Sequence, residues 1–244
     1  MVVTSLDNEK VKKFKKLQKK KYRDEYDQYI VEGLHLIYEA YKTGAIQELI
    51  LLEGVDVPVP VPYTYYSAEV MRKISSMDTP STIMALCNRF NKDTIKGDRI
   101  LILDGIQDPG NLGTIIRSAV AFDIETIILT ENTVDLYNPK VLRATQGMFY
   151  HINIINMPGI DVMMLLHNLE IPIYGTSVVN GYDVRELESS EKEKFALVMG
   201  NEGNGVRDEI SSLCDKNLYI KMNSNVESLN VGIAASILLY ELGR

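Results

Sequence analysis

Three short clusters carry most of the residues of this 244-residue chain that could do chemistry: DGIQDPGNLGTIIRSA at 104–119, GNEGNG at 200–205 and KMNSNVESLNVGIAAS at 221–236. Each follows an apolar run and ends where a helix begins. Glycine in such turns permits tight bends and close backbone approach, and the free amides of a helix start favour anions or carboxylates. Two nucleotide motifs fail on these residues. Gly105 to Gly110 has P-loop spacing but continues Asn-Leu, and Gly200, Gly203 and Gly205 give GxxGxG around Glu202, the wrong order for a dinucleotide fingerprint. A nicotinamide oxidoreductase loses most of its support there. The polar side chains offer other uses. Asn111 can cap the helix that carries Arg117 or hydrogen-bond a substrate. Glu202 can hold Asn111 or Arg117 through charge-assisted hydrogen bonds, or cap the following turn, and Ser228 and Asn230 open the last helix, with Ser228 as an N-cap. Cys87 and Cys214 are far apart, without CxxC or a neighbouring His, so they read as reduced structural thiols and no metal site is expected.

From Arg99 onward the elements that must position these clusters alternate: RILILD, a helix after Asn111, TIILT, a helix near Lys140, INIIN, a helix from Asp161, IPIYGTS, FALVMG, a helix after Val206, NLYIK and a final helix from Ser228. That order implies a mainly parallel α/β sheet with helices on both faces, whose ligands gather at the carboxyl ends of the strands. Residues 29–90 read as a smaller α/β unit. Its first helix places Leu34, Ile37, Tyr38 and Tyr41 at i, i+3, i+4 and i+7, with His35 beside that stripe and Gly44 at C′. Leu49–Leu52 and Ile83–Cys87 read as strands, Ser67 as an N-cap, and Tyr63, Tyr65 and Tyr66 as strand packing ahead of base stacking. The polar NKDTIKGD stretch divides the chain into domains 1–90 and 99–244 joined by a linker at 91–98.

Hydrophobic residues make up 45% and charged residues 24%, which excludes global disorder. The opening residues lack a secretory pattern and no stretch approaches about 18 uncharged apolar residues, so a cytoplasmic protein that spans no membrane is expected. The net charge of −7 conceals an uneven distribution. Residues 10–23 hold nine cations (Lys10, Lys12, Lys13, Lys15, Lys16, Lys19, Lys20, Lys21, Arg23) and no anion, leaving 17 cations against 33 anions elsewhere. Val11, Phe14 and Leu17 recur there at helical spacing, giving a helix with one apolar stripe and a wide lysine face, either solvated or in contact with nucleic acid. Val231–Tyr240 carries no charge and is apolar around most of its circumference, so it must be covered on several sides.

The arrangement Asn111-x-Gly113-x-x-x-Arg117, then Gly200-x-Glu202-x-x-Gly205, then Ser228-Leu-Asn230-Val resembles the SpoU (TrmH) family of RNA ribose 2′-O-methyltransferases. SLDNEKVKKFKKL and IVEGLHLIYEA are similar to that family's substrate-binding extension, and NPKVLRATQG to its middle segment. The resemblance implies a catalytic domain whose C-terminal part is tied in a trefoil knot, and a cytoplasmic homodimer acting on RNA. The two-domain layout favours ribosomal over transfer RNA. It also implies an S-adenosylmethionine pocket around Thr176, Gly200, Ile220, Met222 and Leu229, and a catalytic set of Asn111, Arg117, Glu202, Ser228 and Asn230, with Arg143 at RNA phosphate or in a surface salt bridge. Lys221 stands where the family usually has proline and Gly232 where it usually has serine. A guanidinium, with pKa above about 12, is a poor base at neutral pH, so Arg117 is expected to clamp the developing alkoxide and adjacent phosphate. Water, phosphate or a perturbed Arg117 remain as proton acceptors. The competing reading from another class is a non-catalytic RNA-binding assembly factor that keeps the fold.

Overall fold

A computed structural model describes residues 2–90, 93–178 and 181–243. Asn91 and Lys92, the first two residues of the expected linker, lie outside that set. The chain forms two compact units, Met1–Asn91 with Asp135–Tyr150 and Lys92–Val134 with His151–Arg244. The division therefore departs from a single cut at 91–98, because the segment holding NPKVLRATQG clusters with the N-terminal residues.

The first unit contains β1 (Val2–Val3), α1 (Glu9–Lys16), α2 (Lys20–Tyr26), β2 (Gln28–Glu32), α3 (Leu34–Lys42), β3 (Ile46–Leu52), β4 (Tyr63–Tyr66), α4 (Ala68–Ile74) and β5 (Ile83–Asn88), plus a helix at Pro139–Thr145. Its sheet runs β1-β4-β3-β5-β2, with β5 antiparallel to both neighbours. The basic run forms two helices instead of one, because Lys19 is extended between them. Val11, Phe14 and Leu17 are buried against Ile50, Tyr66 and Met71. Arg23 is buried as well, paired to Asp135 at 2.5 Å and donating to the Leu17 carbonyl at 2.9 Å. One of the nine cations is thus a core residue.

Helix α3 is rotated from the expected stripe. Leu36, Ile37 and Ala40 are buried, whereas Leu34, Tyr38 and Tyr41 are exposed. Its sequence is apolar over more than half the circumference, so the same spacing fits two rotations, and the slimmer side chains face the sheet. Among the tyrosines Tyr66 is buried, Tyr65 donates to the Val55 carbonyl at 3.1 Å and Tyr63 is exposed.

The second unit comprises β6 (Arg99–Asp104), α5 (Pro109–Ala121), β7 (Thr126–Leu129), then, with α6 the helix Pro139–Thr145 of the first unit, β8 (Asn153–Asn156), α7 (Gly159–Asn168), β9 (Ile173–Thr176), β10 (Tyr182–Asp183), β11 (Phe195–Gly200), α8 (Asp208–Ser211), β12 (Lys216–Tyr219) and α9 (Val231–Leu242). The sheet runs β10-β12-β9-β11-β6-β7-β8, and all neighbouring strands among the described residues pair in parallel. β7 and β11 are buried throughout, as parallel strands covered on both faces must be. Register then decides where the loops emerge. Asp104 pairs with Gly200 and Thr176 with Leu218, so the clusters after β6 and β11 leave the sheet side by side, with the β12 exit close by.

Helix α9 begins at Val231 and its N-cap is Asn230, not Ser228. One face, including Ala235, Leu238, Leu239 and Leu242, is buried, while Ile233 and Tyr240 on the other are exposed. Cys87 and Cys214 are free, and burial pushes their thiols up to about 12 and about 11, which keeps both protonated and unreactive.

Candidate active site

The N-cap of α5 is Asp108, which accepts from the Asn111 backbone amide at 2.8 Å, with Pro109 at the first helical position. Asn111 therefore does not cap this helix, and its side chain is free for other work. Its Nδ2 donates to Glu202 Oε1 at 2.9 Å, and its Oδ1 accepts from Asn230 Nδ2 at 2.8 Å. Asn230 Oδ1 meanwhile accepts from the amides of Gly232 at 2.9 Å and Ile233 at 3.3 Å. One line of hydrogen bonds thus joins all three clusters, Glu202 to Asn111 to Asn230.

Glu202 does not cap the following turn, whose Gly203 and Asn204 amides donate to Asn201. Its carboxylate accepts from the amides of Gln107 at 3.2 Å and Asp108 at 3.1 Å as well as from Asn111. Burial alone would raise its pKa, but these donors to the ionised form outweigh burial and hold it below the ordinary carboxylate value.

The second loop is shaped by residues that the motifs did not single out. Asn201 donates to the Gly105 carbonyl at 2.8 Å, while its Oδ1 accepts from the amides of Gly203 at 2.9 Å and Asn204 at 3.3 Å. Asn201 and Gly205 exchange backbone bonds of 2.9 Å, which folds the loop back on itself. A Cβ at Gly200 would lie 2.1 Å from the Gly205 carbonyl carbon and the Val206 nitrogen. Glycine is needed at 200 for this closure, a reason independent of any ligand.

Buried Asp104, at the end of β6, receives Arg207 at its backbone amide (3.0 Å) and Nε (2.9 Å), and Arg207 also reaches Glu131 at 2.8 Å. Burial pushes the Asp104 carboxyl up, but the bonds from Arg207 and Thr130 more than offset it and the pKa is lowered. An aspartate closing the buried run RILILD calls for a cationic partner, and that was the available signal.

Between these loops lies a cavity of about 720 Å³ within the second unit. All five expected cofactor residues, Thr176, Gly200, Ile220, Met222 and Leu229, line it, together with Glu202, Ser228 and Asn230. Asn111 reaches its edge through its bonds to Glu202 and Asn230. Arg117 is not among the lining residues. It lies exposed on α5 and forms no hydrogen bond or ion pair with a described residue. Lys221 is exposed outside the cavity, and Gly232 lets the first turn of α9 rest on α5, where a Cβ would stand 3.2 Å from Thr114 Cγ2.

The cavity's size suits a drug-sized ligand, and Ile220, Met222 and Leu229 give it an apolar wall. Its charged lining residues are Glu202 and Glu227, with no lysine or arginine among the described residues that line it. Such a site favours a ligand carrying positive charge and lacks the cations that phosphates need, which fits a sulfonium such as S-adenosylmethionine and opposes a dinucleotide.

Residues 98–240 match the SpoU rRNA Methylase family and residues 8–85 the MRM3-like substrate binding domain. Over 245 residues, covering 98% of each chain, the sequence is 35% identical to the 23S rRNA (guanosine(2553)-2′-O)-methyltransferase RlmP of Bacillus subtilis. The fold superimposes on the AdoMet-bound rRNA methyltransferase of Sinorhizobium meliloti with a TM-score of 0.87 at 29% identity, covering 99% of this chain and 97% of that one. The tRNA-modifying TrmH/SpoU enzyme of A. aeolicus shares the fold over 61% of this chain and 75% of its own, with a TM-score of 0.52 at 22% identity.

Proposed function

The chain belongs to the SpoU rRNA methylase family, and we propose that it transfers a methyl group from S-adenosylmethionine to a ribose 2′-hydroxyl of 23S ribosomal RNA. The observation that carries the reading is the cavity lined by the second and third motif clusters, with two carboxylates and no cation on its described walls and with Asn111 of the first cluster bonded to both at its edge. Full-length similarity to a 23S rRNA enzyme favours ribosomal over transfer RNA.

S-adenosylmethionine held there supplies an electrophilic methyl group on a sulfonium. Thr176, Gly200, Ile220, Met222 and Leu229 hold it, with the aliphatic side chains excluding water and Gly200 keeping the loop closed. Asn111, Glu202 and Asn230 act as positioning residues. Their linked hydrogen bonds fix the three loops before substrate arrives, so little reorganisation remains for the reaction. Arg117 has the unengaged guanidinium suited to clamp the alkoxide and neighbouring phosphate, with proton removal by water or that phosphate. Ser228 bridges the cofactor loop to the substrate.

The working form is a cytoplasmic homodimer with a trefoil-knotted C-terminal part. Family membership supports the knot, and the exposed apolar face of α9 supports the dimer. No helix among the described residues is long and apolar enough to cross a membrane. Mapping 2′-O-methyl groups in 23S rRNA from cells with and without the protein tests the reading. One missing methyl group is expected, and an unchanged map would overturn the assignment in favour of an assembly factor or another RNA.

A further inference from the structure

The first unit holds its own cavity, of about 540 Å³, lined in part by residues of IVEGLHLIYEA and NPKVLRATQG and by none of the three glycine-rich clusters. Its walls come from the start of α3, the turn between α4 and β5, and the end of α6. Arg143 is the only arginine or lysine among the described lining residues. It forms no salt bridge with a described residue, yet it is not loose. One guanidinium nitrogen donates to Ser76 Oγ at 2.7 Å, and Ser76 Oγ in turn donates to Glu32 at 2.5 Å. Glu32, buried beneath, is further engaged by the Ser76 amide at 2.8 Å and Ser75 Oγ at 2.6 Å. The carboxylate is thus saturated by serine donors, and the charge of Arg143 is held in place while its Nε and second terminal nitrogen have no bond to a described residue.

Two further features point to a ligand. Leu34 and Met77, both on the cavity wall, remain exposed at 44% and 39%. Gln146, which also lines it, keeps a side chain at φ 51°, a left-handed position where glycine would be unstrained. Its Nε2 is used by the Arg143 carbonyl at 3.1 Å, which leaves its side-chain oxygen as an acceptor.

We propose that this cavity takes one unpaired nucleotide of the RNA substrate, with its phosphate on the Arg143 fork, its base between Leu34 and Met77, and a base-edge donor read by Gln146. A guanidinium with two parallel free N–H groups matches phosphate geometry, and proteins that read RNA sequence do so largely on unstacked bases. The volume holds a mononucleotide and little more. This inference rests on the reading of the protein as acting on RNA, and it adds a recognition site in the unit that contains none of the motif clusters.

The test uses the full chain and an unmodified 23S rRNA transcript, with affinity measured by filter binding and methyl transfer measured separately. Leu34→Glu and Met77→Glu replace the apolar walls of the base position with a carboxylate inside the cavity, and Val57→Glu adds the same charge at an exposed position of the same unit outside it. Each wall variant should weaken RNA binding at least tenfold, with Val57→Glu within twofold of the wild type and S-adenosylmethionine affinity unchanged in all three. Equal losses in all three variants, or wall variants within twofold of wild type, would overturn the inference. Wild-type protein that binds the transcript but transfers no methyl would instead defeat the enzymatic reading, and the cavity would still be decided by the affinity ratios. No binding by the wild type would defeat both.

Discussion

Arg117 differs from Asn111, Glu202 and Asn230 in that no described residue holds its guanidinium, whereas Asn111 bonds to both of the other two. That contrast predicts different losses. Arg117→Ala should leave S-adenosylmethionine affinity within about threefold and lower single-turnover transfer by at least about 10²-fold, the scale of removing one preorganised charge donor. Transfer near the wild-type rate would remove it from the chemistry. Glu202→Gln places an amide donor against the N–H groups of Gln107, Asp108 and Asn111, so loop closure should weaken, and transfer should drop by about tenfold. The same pairing has a pH signature. Because the folded-state pKa of Glu202 is lowered, its stabilising effect is fully present above the ordinary value of 4.5 and fades as pH falls through the lower folded value. The melting-temperature gap between wild type and Glu202→Gln should be constant above about pH 5.5 and narrow in acid. A gap that widens in acid would contradict the assignment. At this scale the residue types were legible but the caps were not. Asp108 and Asn111 are both capping residues within the four-residue stretch DPGN, and Pro109, which belongs at the first helical position, was the clue that selects Asp108.

Helices carried less information than strands. The apolar strands of the second unit emerged where hydrophobic runs put them, since a strand buried on both faces has only one reading. The basic run and α3 were ambiguous because spacing alone gives neither a break nor a rotation. Phe14 and Leu17 turn α1 inward, and Arg23 enters the core, so removing residues 1–23 would unfold the first unit instead of testing RNA contact. What remains outside is a mixed basic and aromatic face. Tyr22 and Tyr26 stack at 6.4 Å, with Lys13 5.0 Å over Tyr26 and Lys16 and Lys21 5.4 and 5.8 Å over Tyr22. None of these three lysines pairs with a carboxylate among the described residues. Replacing Lys13, Lys16 and Lys21 together by Gln should preserve the fold and flatten the log–log salt dependence of RNA binding by about two to three units, close to one for each phosphate that is no longer neutralised. An unchanged slope would return the face to solvent.

For the whole molecule, the parallel sheet and its loop-bearing edge followed from the alternation of apolar runs and helix starts. The interleaving of the two units did not. Local patterning cannot report that Asp135–Tyr150 clusters with the N-terminal residues, because interactions that join them, such as Arg23 with Asp135, span more than a hundred positions. Nor could the uncharged run at the C-terminus say how much of α9 the chain itself covers. The structure buries Ala235, Leu238, Leu239 and Leu242 on one side and leaves Ile233 and Tyr240 exposed on the other, with half-buried Ile237 between them at helical spacing. Apolar residues at i, i+4 and i+7 on one exposed face, carried by a helix that also lines the cavity, are what a second copy would cover. Ile233→Asp puts a carboxylate on that face without touching the core, and burying it unpaired in an interface would cost several kcal/mol. The wild type should sediment as a dimer at micromolar concentration and the variant as a folded monomer, with reduced S-adenosylmethionine affinity because α9 contributes to both surfaces. A variant that remains dimeric, or a wild type that is monomeric, would show that this face is not the subunit contact.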